Sequence, residues 1–198
     1  MKKLLLLSFL LILPSLSFSK TILFLGDSLT EGYRLPKENS YPTLVENMFK
    51  EEGLDIDVIN GGVSGSTTAD GLNRLKWYMK KNPDIMVLAL GANDGLRGLN
   101  VKKTKKNLLE IINHAQSEGV KVLMMGMLLP PNFGPEYTKS FKDMYVEIKN
   151  EKNIPTLPFL LKGVGGKKEL NLADGIHPNK KGYEIIAKEV YKFVKENL

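Results

Sequence analysis

Residues 85–95 read IMVLALGANDG. Six apolar residues run without alternation and then break into a glycine and a short polar group. A continuous apolar run of strand length marks a strand buried on both faces, as in a parallel sheet covered by helices. The same order recurs along the chain: TILFL (21–25) leads into GDSLTEG, IDVIN (56–60) into GGVSGST, and VLMMGM (122–127) into LLPPNFG. IPTLPF (154–159) is a weaker fifth strand candidate. Between these runs lie amphipathic segments at about 41–52, 68–81, 101–118 and 136–151. A last one covers 180–197, with Tyr183, Ile186, Ala187, Val190, Phe193 and Val194 on one stripe. The order βαβαβαβαβα predicts an α/β fold, a three-layer α/β/α sandwich with right-handed crossovers. In such open sheets ligands bind beyond the carboxyl ends of the strands. The Gly- and Asn-rich stretches all fall at that edge.

The chain has 198 residues, no cysteine and two histidines. Residues 1–19 have Lys2 and Lys3, an apolar run from Leu4 to Leu13, then Pro14 and small residues, the layout of a secretory signal peptide. A spanning helix needs roughly 20 apolar residues, which this run does not supply. The expectation is an exported protein, periplasmic or secreted, with residues 20–198 as one domain. Without cysteine, its stability must come from packing, and thiol nucleophiles and thiolate metal sites are excluded. The net charge of +6 is spread over helical segments rather than gathered into a nucleic-acid stripe. No nucleic-acid partner is therefore expected, and at most transient contact with a membrane surface, with the protein acting as a monomer.

Ser28 stands at the turn after the first strand, where a helix begins. Backbone N–H groups and the positive end of a helix dipole meet there. Such a serine is either a helix cap or a nucleophile, and as a nucleophile it needs a base. Residues 174–179, DGIHPN, can supply one: His177 can take the Ser28 proton while Asp174 holds the other ring nitrogen. Read alone, DGIHPN is equally an Asx turn followed by a loop histidine. Donors for a developing oxyanion are available in the Ser28 amide, in Gly65 after the second strand, and in the side chain of Asn93 after the third. Each has a turn-forming reading of its own. Their convergence at one sheet edge favours chemistry. GVSGST is not a nucleophile elbow, because glycine directly follows Ser64. The glycines of KGVGGKK (162–168) match neither a P-loop nor a dinucleotide fingerprint. His114 lies mid-helix. Leu96, Leu99, Leu129 and Phe133, in the loops after strands three and four, offer either apolar contact for an acyl chain or ordinary core and loop packing.

GDSLTEGY, the glycine of NGGVSGST, GAND and DGIHPN resemble, in order and spacing, the four sequence blocks of the GDSL (SGNH) hydrolases, over about residues 21–197. GANDGLRG and LPPNFGPEY are similar to loops of the secreted thioesterase I, lysophospholipase and arylesterase branch. The resemblance implies a flavodoxin-like five-stranded sheet and no metal or organic cofactor. It also implies Ser28 as nucleophile, Asp174 and His177 as orienting acid and base, and Gly65 and Asn93 as oxyanion donors beside the Ser28 amide. GAND for the commoner GGND and Phe133 for a frequent tyrosine are departures that bear on acyl preference. The implied activity is hydrolysis of carboxylic and thio-esters. A carbohydrate O-acetylesterase and a non-catalytic binding module on the same fold are the alternatives.

Overall fold

The computed structural model describes residues 19–198, so most of the leader segment 1–19 lies outside the described residues. Five parallel strands form one sheet: β1 (Lys20–Gly26), β2 (Ile56–Gly62), β3 (Ile85–Ala89), β4 (Lys121–Met125) and β5 (Thr156–Leu157), in the order β2-β1-β3-β4-β5. The continuous apolar runs sit where the sequence predicts, at the centre. Ile22, Leu23, Phe24 and Leu25 of β1 and Met86, Val87 and Leu88 of β3 are fully buried. Leu23 pairs with Ile59 on one side and Met86 on the other.

The expected helices are α2 (Tyr41–Glu51), α3 (Thr68–Tyr78), α5 (Val101–Ser117), α6 (Pro135–Lys152) and α7 (Lys180–Lys195). Helix α2 packs against α7, while α3, α5 and α6 pack together, which gives the three layers. Two short helices, α1 (Ser28–Glu31) and α4 (Ala92–Leu96), directly follow β1 and β3. The strand segment expected over 154–159 shrinks to two paired residues. Pro155 and Pro158 flank them, and a proline has no N–H to give to the ladder.

The strand order places the functional edge. The chain reverses direction of travel across the sheet between β1 and β3, and at such a switch point the loops after the two neighbouring strands diverge and leave a crevice. Ser28 follows one of those strands and Asn93 the other. Gly26 is a close approach at the end of β1, where any Cβ would meet Thr30 Oγ1 at 1.9 Å. The turn into α1 therefore requires glycine before Asp27 and Ser28.

Candidate active site

Ser28 is the first residue of α1, and Asp27 is its cap, accepting a hydrogen bond from the Leu29 amide at 3.0 Å. The capping task thus falls to Asp27, and the Ser28 hydroxyl is left for another partner. That partner is His177: Ser28 Oγ lies 2.9 Å from His177 Nε2 across 149 residues of chain. His177 Nδ1 lies 2.8 Å from Asp174 Oδ2. With the Nδ1 proton donated to Asp174, Nε2 is the acceptor that faces the serine.

The arm carrying this pair is a small hairpin. Asn171 and Pro178 bridge its ends, the Leu172 amide donates to the His177 carbonyl at 2.7 Å, and Gly175 takes φ +71 at the tip. The two readings of DGIHPN are both realised, one by each carboxylate oxygen. Asp174 Oδ1 makes the Asx turn, accepting from the amides of Ile176 (2.9 Å) and His177 (3.0 Å), while Oδ2 holds the imidazole. Desolvation pushes the Asp174 carboxyl up, but the two amides and the His177 ring outweigh it and hold it at about 2. Asp174 therefore stays an anion, as a partner for an imidazolium must.

The loops after β1, β2 and β3 are clamped to one another. Glu31 of α1 accepts from the Ser64 amide at 2.9 Å. Asn93 Nδ2 donates to the Ser66 carbonyl at 3.0 Å, and Arg97 donates to the Gly65 carbonyl at 2.9 Å. Buried Asp94 accepts from the amide and hydroxyl of Thr68. Among the described residues, neither the Ser28 amide nor the Gly65 amide meets an acceptor within the chain. Gly65, at φ +77, is in the left-handed region that favours glycine.

Beside Ser28 opens a cavity of about 500 Å³. Ser28, Asn93 and His177 lie on its wall together with Leu96 and Leu129. Gly65 does not line this cavity but a shallower hollow next to it, with Ser66 and Arg97. The structure also leaves Leu99 and Phe133 outside the cavity. Leu99 follows a turn at Gly98 (φ +64) and is 42% exposed, and the Phe133 ring lies 6.4 Å from that of Tyr137. Their places are taken by Met127, Leu128, Phe159, Leu161 and Ile176. Leu129 seats because Gly95 has no Cβ: one there would meet Leu129 Cδ2 at 2.6 Å. Gly165 and Gly166 of KGVGGKK also reach the cavity, as its rim.

Two supporting residues, and the burial of a third, escape the sequence reading. Tyr33 packs its ring on His177, with centroids 4.3 Å apart, and the Arg34 guanidinium lies over the Tyr33 ring at 5.0 Å. Arg74 of α3 donates to the carbonyls of Gly26 and Gly61 and to Ser66 Oγ, tying the ends of β1 and β2 to the Gly65 loop. Asp27 is 1% exposed, and its Oδ2 has no hydrogen-bond partner. Only GYR after GDSLTE hints at the first, and an arginine on the amphipathic α3 at the second. Nothing local marks Asp27 as buried.

Burial pushes the Asp27 carboxyl up to about 7, against the Leu29 amide and the Arg74 guanidinium, which pull it down. A group whose value rises on folding stabilises the fold fully below its unfolded value, and loses that contribution as pH rises through the folded one. The melting temperature of Asp27→Asn relative to the unaltered protein should therefore shift in the variant's favour by several degrees between about pH 4 and pH 8. Thermal melts across that range check it, and a difference that does not change with pH would contradict the assignment.

A sequence model of the GDSL-like Lipase/Acylhydrolase family matches residues 24–185. The chain is 39% identical over 179 residues to an arylesterase of Vibrio mimicus, covering 88% of this chain and 90% of the relative. It is 34% identical over 168 residues to the thioesterase 1/protease 1/lysophospholipase L1 of Escherichia coli K12, covering 84% and 79%. Among solved structures, the psychrotrophic esterase EstA from Pseudoalteromonas sp., inhibited by monoethylphosphonate, superposes with a TM-score of 0.86 at 35% identity, over 90% of this chain and 98% of that one.

Proposed function

The chain belongs to the GDSL-like lipase/acylhydrolase family and is a carboxylic ester hydrolase; from that premise we propose that it splits acyl esters and thioesters through an acyl-enzyme on Ser28. Ser28 Oγ attacks the acyl carbonyl carbon as His177 Nε2 takes its proton. The oxygen that becomes negative is met by the Ser28 amide and the Asn93 side-chain amide, and the unpartnered Gly65 amide reaches it from the adjoining hollow as the third donor. The imidazolium, paired with Asp174, gives its proton to the departing alkoxide or thiolate, and the carbonyl re-forms as acyl-Ser28. Water then attacks with His177 as base, the acid leaves, and Ser28 regains its proton.

The observation that carries the proposal is the unbroken chain from Ser28 Oγ through His177 to Asp174, 2.9 and 2.8 Å per link, at the wall of an apolar cavity. That cavity also favours acyl chains over acetate. Each buried CH₂ is worth about 0.8 kcal/mol, or about fourfold in kcat/KM. Rates on p-nitrophenyl esters should therefore climb by up to about fourfold per carbon over the first several carbons. An alkyl p-nitrophenyl phosphonate should label one site, the peptide containing Ser28. A maximum at acetate would favour the O-acetylesterase alternative, and folded protein that resists the phosphonate would favour a binding module.

The same reading takes residues 1–19 as a leader removed on export and residues 20–198 as the working enzyme, periplasmic or secreted. Its support is the Lys2–Lys3 pair followed by the short apolar run. Among the described residues, no helix is long and apolar enough to cross a membrane. The enzyme would act as a monomer on a small or lipid ester, with no role for nucleic acid.

A further inference from the structure

We propose that the rim of the cavity is a docking face for an anionic lipid surface. Two of the residues that line the cavity are large, apolar and exposed: Ile176 at 46% and Leu128 at 39%. A third exposed residue, Ile185 of α7, lies outside the cavity lining but against the 162–168 loop, its Cγ2 4.0 Å from the Cβ position of Gly163. Exposed apolar side chains scattered singly need no explanation. Apolar lips that continue directly into an apolar cavity do, because their exposure costs nothing only when something apolar covers them.

The charge of the rim says what covers them. Residues 162–168, KGVGGKK, present Gly165 and Gly166 to the cavity and hold three lysines with no acidic residue among them. Lys162 pairs with Glu189 at 3.3 Å. Lys167 and Lys168 are exposed and, among the described residues, reach no carboxylate within ion-pair distance, although Glu169 follows them in sequence. Asp174, next but two to His177, is engaged by that ring, and the acid adjoining Ile185 in sequence is the exposed Glu184. Apolar side chains flanked by lysines fit the headgroup boundary of a bilayer, where the apolar groups enter the acyl region and the lysines meet the phosphates. Docked there, the cavity mouth would open onto the layer that holds acyl chains.

The test uses the full chain with Ser28→Ala, so that no lipid is consumed and the outcome does not depend on the ester-hydrolysis reading. Co-sedimentation is measured with vesicles of phosphatidylcholine alone and of phosphatidylcholine mixed with phosphatidylglycerol. The expected result is binding to the mixed vesicles only, weakened by salt. A lysine near an anionic surface contributes about fivefold, so adding Lys167→Gln and Lys168→Gln should lower partitioning by about 25-fold. The same two substitutions with Ser28 intact should leave the rate on a soluble p-nitrophenyl ester unchanged. Equal binding to both vesicle types, binding to neither, or binding indifferent to the double substitution would overturn the proposal. So would a parallel loss of soluble-ester turnover, which would make the lysines part of the reaction site instead.

Discussion

Replacing Ser28 by alanine is expected to lower kcat by about 10³-fold or more, and replacing His177 by alanine to do the same. The two losses should not multiply. Ser28 Oγ and His177 Nε2 share one proton at 2.9 Å, so once either is gone the other has nothing left to do. The double variant should fall to about the level of either single one, the residual rate coming from the oxyanion donors and from binding. Folding should survive both changes, since Ser28 does not cap its helix and His177 sits on a surface hairpin held by backbone bonds. Steady-state rates on one soluble ester, with circular dichroism as a check on folding, measure all three. A double variant slower by the product of the single effects would mean two independent contributions, and the proposed chain would not operate.

The second large effect is expected from Asp174→Asn, at about 10⁴-fold in kcat. The reason lies in the division of labour between the two oxygens. Oδ1 is fixed by the amides of Ile176 and His177, at 2.9 and 3.0 Å, so an asparagine keeps its carbonyl oxygen there. Its NH₂ then faces His177 Nδ1, donates where the aspartate accepted, and forces the ring proton onto Nε2. A histidine in that tautomer presents a donor to Ser28 and cannot take its proton. Because the backbone bonds survive, the hairpin should hold and KM should change little. Asp174→Ala removes the hairpin bonds as well, and should cost stability in addition to rate. An asparagine variant with near-normal kcat would show that His177 is oriented without the carboxylate, leaving Ser28 Oγ and the Tyr33 ring as its contacts. In acid, the contribution of Asp174 to stability should be complete above its ordinary carboxylate range, near pH 4, and disappear as pH falls toward about 2.

What the sequence by itself determined was local in origin. Unbroken apolar runs such as 85–90 declare strands covered on both faces, and period-3.6 stripes declare their helices. These signals depend only on neighbours within a turn or a strand. The residues of the Ser28, His177 and Asp174 chain were legible for the same reason: Asp174 and His177 meet within one tight turn, and Ser28 follows a strand end. The fifth strand was legible only as a weaker candidate over 154–159, and its shrinkage to Thr156–Leu157 came with the structure, between Pro155 and Pro158.

The tertiary structure alone decided what depends on which elements become neighbours. It set β1 beside β3, so that Ser28 and Asn93 face one crevice and His177 arrives from 149 residues away. It put Ile176, Phe159 and the glycines of KGVGGKK on the cavity and turned Leu99 and Phe133 away. A residue's periodic position names a face of its own element, whereas a cavity wall is fixed by where loops from several elements converge. Asp27 is the clearest case. Its sequence neighbours allow only a helix cap, and the carboxyl near 7 exists because distant packing removed water from one of its oxygens.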